Sequence, residues 1–161
     1  MHFSSHSYRH AELILNANYR IRKEIEDILN GLEVEHGERK GRKSREQPHD
    51  IIQKAFVEKG WSKETLISED VAHKQFFDLY KEKVAVEIEF SRNEFLYRDY
   101  FRFLLAYNSG LIDVGVIITL DKKAKEQYKY DTVRPDLDYA VDDFQWLKPV
   151  LAVPISVLGV Y

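Results

Sequence analysis

Two alternating segments with a helical stripe between them constrain this chain more than any other feature. Across residues 83–91, Val84, Val86, Ile88 and Phe90 fall on one face of an extended chain, and Ala85, Glu87, Glu89 and Ser91 on the other. Residues 93–108 then carry Phe95, Leu96, Tyr100, Phe103, Leu104 and Tyr107 at helical spacing, before Ser109-Gly110 stops the run. Beyond that stop Ile112, Val114, Val116, Ile118 and Leu120 alternate with Asp113, Gly115, Ile117 and Thr119. Strand, helix of about four turns, strand is the pattern of a crossover unit, though periodicity alone leaves open whether the strands run parallel. The predicted class is α/β, with a central mixed β-sheet flanked by helices.

The rest of the chain fills in around that unit. A first helix is predicted over residues 10–32, with Ile14, Ile21, Ile25, Ile28, Leu29 and Leu32 as its apolar stripe. A second starts at Pro48, a residue suited to a first helical turn, and runs to about residue 59 with Ile51, Ile52, Ala55 and Phe56 inward. Residues 121–143 read as a polar stretch, and 150–161 as a final strand with Pro154 near its start or at an edge. Trp61 and Trp146 read as packing residues, and Tyr97, Tyr100, Phe101, Phe103 and Tyr107 as core or subunit contacts.

At 161 residues the chain is expected to form one domain, spanning 1–161. The absence of cysteine excludes disulfide frameworks and thiolate metal sites. No apolar stretch reaches the ~20 residues of a membrane span, and the first residues lack the layout of a signal peptide, so a cytoplasmic protein is expected. Net charge is −3, from 24 Lys and Arg against 27 Asp and Glu. That total argues against a uniformly basic nucleic-acid binder, but its distribution is uneven. Arg39, Lys40, Arg42, Lys43 and Arg45 put five positive charges in seven positions, whereas residues 131–143 hold five Asp against one Arg. Two readings of the basic run stand: a solvated loop, or an arm that contacts phosphates.

Glu87 and Glu89 carry the sharpest chemical signal. Two apart on a strand, they point the same way with Cα atoms roughly 6.5–7 Å apart. Were residues 76–81 a strand folded back by a turn around 81–83, Asp78 would come beside Glu87. Asp78, Glu87 and the Ile88 carbonyl would then form an open oxygen cage suited to Mg²⁺, a hard cation that activates water and offsets charge on phosphorus. The alternative is a wet face of an edge strand, with no ligand at all. The six histidines show no metal-ligand spacing.

Beyond single residues, several segments resemble the BglII-like type II restriction endonucleases, within the nuclease superfamily built on an Asp…(Asp/Glu)-x-Lys core. They are Tyr8-Arg9-His10-Ala11-Glu12-Leu13-Ile14-Leu15-Asn16, then Lys23-Glu24-Ile25-Glu26, then Asp78 with Val86-Glu87-Ile88-Glu89-Phe90-Ser91. Ile112-Asp113-Val114-Gly115-Val116-Ile117-Ile118-Thr119 and Val153-Pro154-Ile155-Ser156-Val157-Leu158-Gly159-Val160 resemble two core strands of the family. The resemblance implies a restriction-endonuclease-like fold and a Mg²⁺-dependent cut of double-stranded DNA at a short palindrome by a homodimer. A GATC-type core and 5′ overhangs follow from the same source.

It also implies catalytic roles for Asp78, Glu87 and Glu89, with Asp78, Glu87 and Ile88 as metal ligands. Glu89 stands where the superfamily carries Lys and close relatives carry Gln. A carboxylate there can orient or deprotonate water or bind a second ion, which leaves metal count and base open. Ser91, Arg92 and Asn93 fall where the family places base-reading residues; Arg92 suits guanine and Asn93 adenine. Ser91 can equally cap the following helix. A second recognition loop is expected around Asp131, Thr132 and Arg134, with a solvated acidic loop as its alternative. Two other classes stay open: a DNA-binding module without catalysis, and a structural or partner-binding protein.

Overall fold

Both alternating segments are strands of one sheet. The computed structural model describes residues 1–33, 47–67 and 74–161, so the basic run 39–45 lies outside the described residues. In chain order the elements are β1 (Phe3–Tyr8), α1 (Ala11–Ala17), α2 (Tyr19–Gly31), α3 (Pro48–Glu58), β2 (Ser62–Leu66), β3 (Phe76–Lys81) and β4 (Val84–Ile88). They continue with α4 (Asn93–Asn108), β5 (Val114–Leu120), α5 (Lys122–Gln127), α6 (Leu137–Leu147) and β6 (Ile155–Val160).

The sheet order is β1-β6-β5-β4-β3-β2. Strands β4, β5 and β6 run parallel, and β1, β3 and β2 pair antiparallel at the flanks. The sheet is therefore mixed, and α4 is the crossover between β4 and β5. Helices cover both faces. On one, α1, α2 and α3 pack Leu15, Ile21, Ile25, Leu29, Ile52 and Phe56 against Val84, Val86, Ile88, Val116 and Ile118. On the other, α4 and α6 pack Leu96, Tyr100, Phe103 and Phe144 against Phe77, Ala85, Ile117, Ile155 and Val157. With helices on both faces, every residue of β5 and β6 is buried, Thr119 and Ser156 included.

Several expectations are corrected. The first helix is two, broken at Asn18, whose ψ of 58° leaves the helical range. Leu15 and Ile21 are six residues apart, about 240° around a continuous helix, and only a break turns both toward the same core. Strands β1 and β2 were not legible, being short edge strands with mostly polar residues. The polar stretch contains α5 and α6, each capped by the aspartate before it: Asp121 accepts from the Lys123 N–H, and Asp136 from the Tyr139 N–H. Pro154 does lie at the start of the last strand, one residue ahead of β6, where its missing N–H costs no ladder bond, but β6 is internal and not an edge strand. Trp61 is buried but Trp146 is 84% exposed, so only the first is a packing residue. Tyr100 and Phe103 enter the core, whereas Tyr97, Phe101 and Tyr107 remain exposed on α4.

Candidate active site

The site starts from the β3–β4 hairpin. Its two-residue turn, Glu82-Lys83, has φ values of 47° and 63°, the left-handed pair that closes a tight hairpin, here without the usual Asn-Gly. The register pairs Leu79 with Val86 and Tyr80 with Ala85, and Asp78, next in line after Leu79, lies near enough to Glu87 to shift it. The hairpin on which the sequence reading depends is present.

Strand β3 does not continue regularly through Asp78. On its other side the β2 ladder skips Glu64, whose φ is 51°. Phe77 packs with the α4 face of the sheet and Leu79 with the α2 face, although residues two apart on a regular strand share a face. At this kink the Asp78 side chain reaches across to β4. Its Oδ2 accepts the Ile88 N–H at 2.9 Å, and His49 Nε2, from the first turn of α3, lies 3.4 Å from the same oxygen. Gln53, one turn later, donates to the Asp78 carbonyl at 3.3 Å.

Glu87 and Glu89 are 1% and 5% exposed, which overturns the wet-face alternative. They diverge. Glu87 turns toward α4, where Arg102 Nη1 lies 3.3 Å from its Oε1, and Asp78 is close enough to act on its carboxyl. Glu89 lies just past the end of β4. Its Oε1 accepts the Ser91 N–H at 2.6 Å, the Arg92 N–H at 3.3 Å and the Ser91 hydroxyl, and its Oε2 lies 3.6 Å from Arg98 Nη2. Between them Asp99, 1% exposed, is approached by Arg98 at 3.3 Å and Arg102 at 3.5 Å.

These charges shift one another. Burial raises the Glu87 carboxyl well above the usual range; Asp99 and Asp78 push the same way, and Arg102 offsets part of it. Burial likewise brings Asp99 up to about 7, against the pull of Arg98. Asp78 goes the other way. Burial alone would raise it, but the His49 contact and the Ile88 N–H hold it below the ordinary value. His49 is raised in turn, chiefly by its hydrogen bond to Asp78.

An open cleft of about 780 Å³ passes over this arrangement, with Asp78, His49, Ile88, Glu89, Ser91, Arg92, Arg98, Tyr130 and Arg134 on its walls. Sequence-read candidates from three separate regions are therefore brought together; Glu87 lies beneath the floor. The two expected recognition segments are joined to each other. Asn93 N–H donates to the Val133 carbonyl at 2.7 Å and Asn93 Nδ2 to the Thr132 carbonyl at 3.2 Å, while Arg134 donates to the Phe90 carbonyl at 3.1 Å and stacks over Tyr130. Asn93 thus spends its amide donor on the loop, and Asp131 accepts from Val133 and Thr132 within it.

The sequence reading missed His49, Gln53, Arg98, Asp99 and Arg102. His49 carried no spacing signal, but the α4 trio did. Residues 98, 99 and 102 form a charged patch on a helix whose neighbours Tyr100 and Phe103 are core, and an inward charge there needs opposite partners.

The donor chemistry fits a divalent cation. Asp78 and Glu87 offer neighbouring carboxyl groups, oxygen donors of the kind a hard cation prefers. Among the described residues no three Asp, Glu or His groups converge closely enough to hold an ion by themselves. Glu89, turned toward Ser91, is not part of the Asp78–Glu87 pair.

Comparison with known proteins gives a consistent result. Among solved structures, the crystal structure of restriction endonuclease BglII complexed with a DNA 16-mer superposes with a TM-score of 0.80 at 24% identity, covering 99% of this chain and 76% of that one. The crystal structure of free BglII superposes with a TM-score of 0.67 at 22% identity, covering 100% of this chain and 80% of that one. A search of curated proteins finds no match. The model of the family described as restriction endonuclease BglII/BglIII matches residues 3–160. The chain belongs to that family, and its enzyme class is type II site-specific deoxyribonuclease.

Proposed function

We propose that this protein is a single domain that hydrolyses phosphodiester bonds of double-stranded DNA with Mg²⁺, as a homodimer acting on a short palindrome. One observation carries the reading. Asp78 and Glu87 stand side by side on the β3–β4 hairpin, beneath a cleft whose walls hold Ser91, Arg92 and Arg134. Likeness to a DNA-bound BglII supports duplex DNA as the ligand of that cleft.

In this reading Asp78, Glu87 and the Ile88 carbonyl hold the cation. When bound, it supplies Lewis-acid stabilisation of the phosphate and lowers the pKa of the attacking water. Asp78 is already aligned by the Ile88 N–H, and His49 keeps it ionised. Glu89, in the superfamily's third catalytic position, orients the attacking water. Its hydrogen bonds to Ser91 and Arg92 tie that residue to the turn that meets the bases. Arg92 and Ser91 are exposed at the cleft for contacts in the major groove. Arg134 and the loop of Asp131 and Thr132 stand beside them, braced by Asn93. The run Arg39, Lys40, Arg42, Lys43 and Arg45 precedes the cleft-wall residue Gln47 by a few positions and supplies phosphate contacts.

Two further points follow. A GATC-type core and 5′ overhangs are the expected site and cut. The homodimer surface is the outer side of α4 with α6, where Tyr97, Phe101, Trp146 and Val150 are 45%, 56%, 84% and 67% exposed around an apolar groove. Phe101→Asp is expected to turn a dimer into a monomer in analytical ultracentrifugation.

Incubation with duplex DNA of known sequence and Mg²⁺, followed by mapping of the ends, tests the whole reading. Cuts at one palindrome with four-base 5′ extensions support it (the extension length being about that of a GATC core). Tight specific binding without cutting would make the protein an inactive reader. Undiminished cutting by Glu87→Ala overturns the site assignment.

A further inference from the structure

Arg102 stands out among the charged groups of the molecule. It sits on the inward side of α4 with its side chain only 15% exposed, and it joins three elements. Its Nε donates to the Gln75 side-chain oxygen at 3.0 Å, just ahead of the strand that carries Asp78. Its Nη1 is shared between Glu87 Oε1 at 3.3 Å and Asp99 Oδ1 at 3.5 Å. A guanidinium is planar, so two nitrogens held by different partners fix its plane. Asp99, one turn earlier on the same helix and itself held by Arg98, fixes its approach.

We propose that Arg102 is a positioning residue: by occupying Glu87 Oε1 it sets the rotamer of Glu87, and so pre-forms the pair of carboxylates that takes the divalent cation. The proposal rests on the cation reading given above. A buried ion pair is a weak source of stability compared with apolar packing. What Arg102 adds is order in a flexible glutamate, which lowers the cost of assembling a site.

The sign of one measurement separates three roles. A guanidinium acting only as a nearby positive charge repels the cation, so removing it tightens binding. A guanidinium that only supports the fold lowers the melting temperature and leaves cation affinity alone. A positioning role predicts weaker cation binding in a protein that still folds.

The test uses the full chain without DNA, with Mn²⁺ as the probe, followed by calorimetry and by electron paramagnetic resonance. Arg102→Met is expected to weaken Mn²⁺ about tenfold, in the range known for partners that orient metal ligands. Arg102→Lys is expected to recover only part of the loss, since an ammonium lacks the fork. In a Glu87→Gln background Arg102→Met is expected to change nothing further, because the residue acts through Glu87. Arg22→Met, which removes a comparable pairing to Glu26 on α2, is expected to leave Mn²⁺ affinity unchanged. Single-turnover cleavage should need correspondingly more Mg²⁺ in Arg102→Met. If Arg102→Met does not fold, Arg102→Lys carries the test, and unchanged Mn²⁺ affinity in a folded variant overturns the proposal. Tighter binding overturns it too. A wild-type protein that neither binds Mn²⁺ nor cuts DNA overturns the cation reading underneath, whereas a cutting wild type with an unaffected Arg102→Met overturns this inference alone.

Discussion

Asp78 Oδ2 accepts the main-chain N–H of Ile88 at 2.9 Å, so an amide of the central strand β4 is satisfied by a side chain of β3. The bond ties the position of a carboxylate to the integrity of the sheet. It predicts different fates for two substitutions. Asp78→Asn keeps an oxygen for the Ile88 N–H and should fold nearly as well as the wild type. Asp78→Ala leaves that amide without a partner and should lose about 1–3 kcal/mol in urea unfolding. Both should abolish DNA cleavage. Equal stability of the two variants would show that the bond contributes nothing to the fold.

Glu89 is held by the turn that follows it. Removing its carboxylate in Glu89→Ala strands the Ser91 and Arg92 N–H groups and frees Arg98, with an expected loss of about 1–3 kcal/mol. Glu89→Gln keeps an acceptor for the turn and a group that orients water, so it should retain stability, DNA affinity measured in Ca²⁺ and most of the cleavage in Mg²⁺, whereas Glu89→Ala should lose cleavage by about two orders of magnitude or more. A Glu89→Ala enzyme that cuts at the wild-type rate would make the residue purely a turn anchor.

Glu24 gives a pH signature far from the cleft. One of its oxygens accepts the Trp61 indole N–H at 2.6 Å and Lys81 Nζ at 2.7 Å. Burial by itself raises this carboxyl, but those two hydrogen bonds outweigh it and hold Glu24 below the ordinary value. A folded-state value below the unfolded one means that the stabilisation is complete above the ordinary glutamate pKa and is lost as pH falls through the depressed value. Glu24→Gln should therefore lower stability by about 1 kcal/mol at neutral pH. The difference from wild type should shrink in unfolding titrations taken into the acid range. A constant difference at every pH would rule out the charge as its source.

Gly115 sets how closely α4 approaches the sheet. A Cβ built there would lie 2.6 Å from the ring of Phe103, which is fully buried. Gly115→Ala should cost about 1–3 kcal/mol by overpacking. It should also push away the helix that carries Arg98 and Arg102, reducing cleavage. Phe103→Leu makes room, so the double variant should be less unstable than the sum of the singles. Strict additivity would mean the contact is not made.

Much of the framework was legible in the residues. The β4–α4–β5 unit follows from local periodicity, because the period of two and the helical stripe are imposed by the backbone itself. Asp78 could be placed beside Glu87 only on condition of a hairpin, since Glu82-Lys83 lacks the residues that advertise a tight turn. Helix α6 was hidden for a different reason. Leu137, Ala140, Phe144 and Leu147 have helical spacing, but the aspartates between them dominate the composition of residues 131–143.

The sequence by itself determined the α/β class, the strand that bears Glu87 and Glu89, and the family to which the residues point. Tertiary structure decided which carboxylates meet. On an ideal strand Glu87 and Glu89 share a face. Here β4 ends at Ile88, so Glu89 turns into the loop and binds Ser91 while Glu87 pairs with Asp78. The contacts His49–Asp78 and Arg102–Glu87 span 29 and 15 residues. No local pattern encodes such pairs, because they depend on how α3 and α4 rotate as they settle on opposite faces of the sheet, a choice made by core packing.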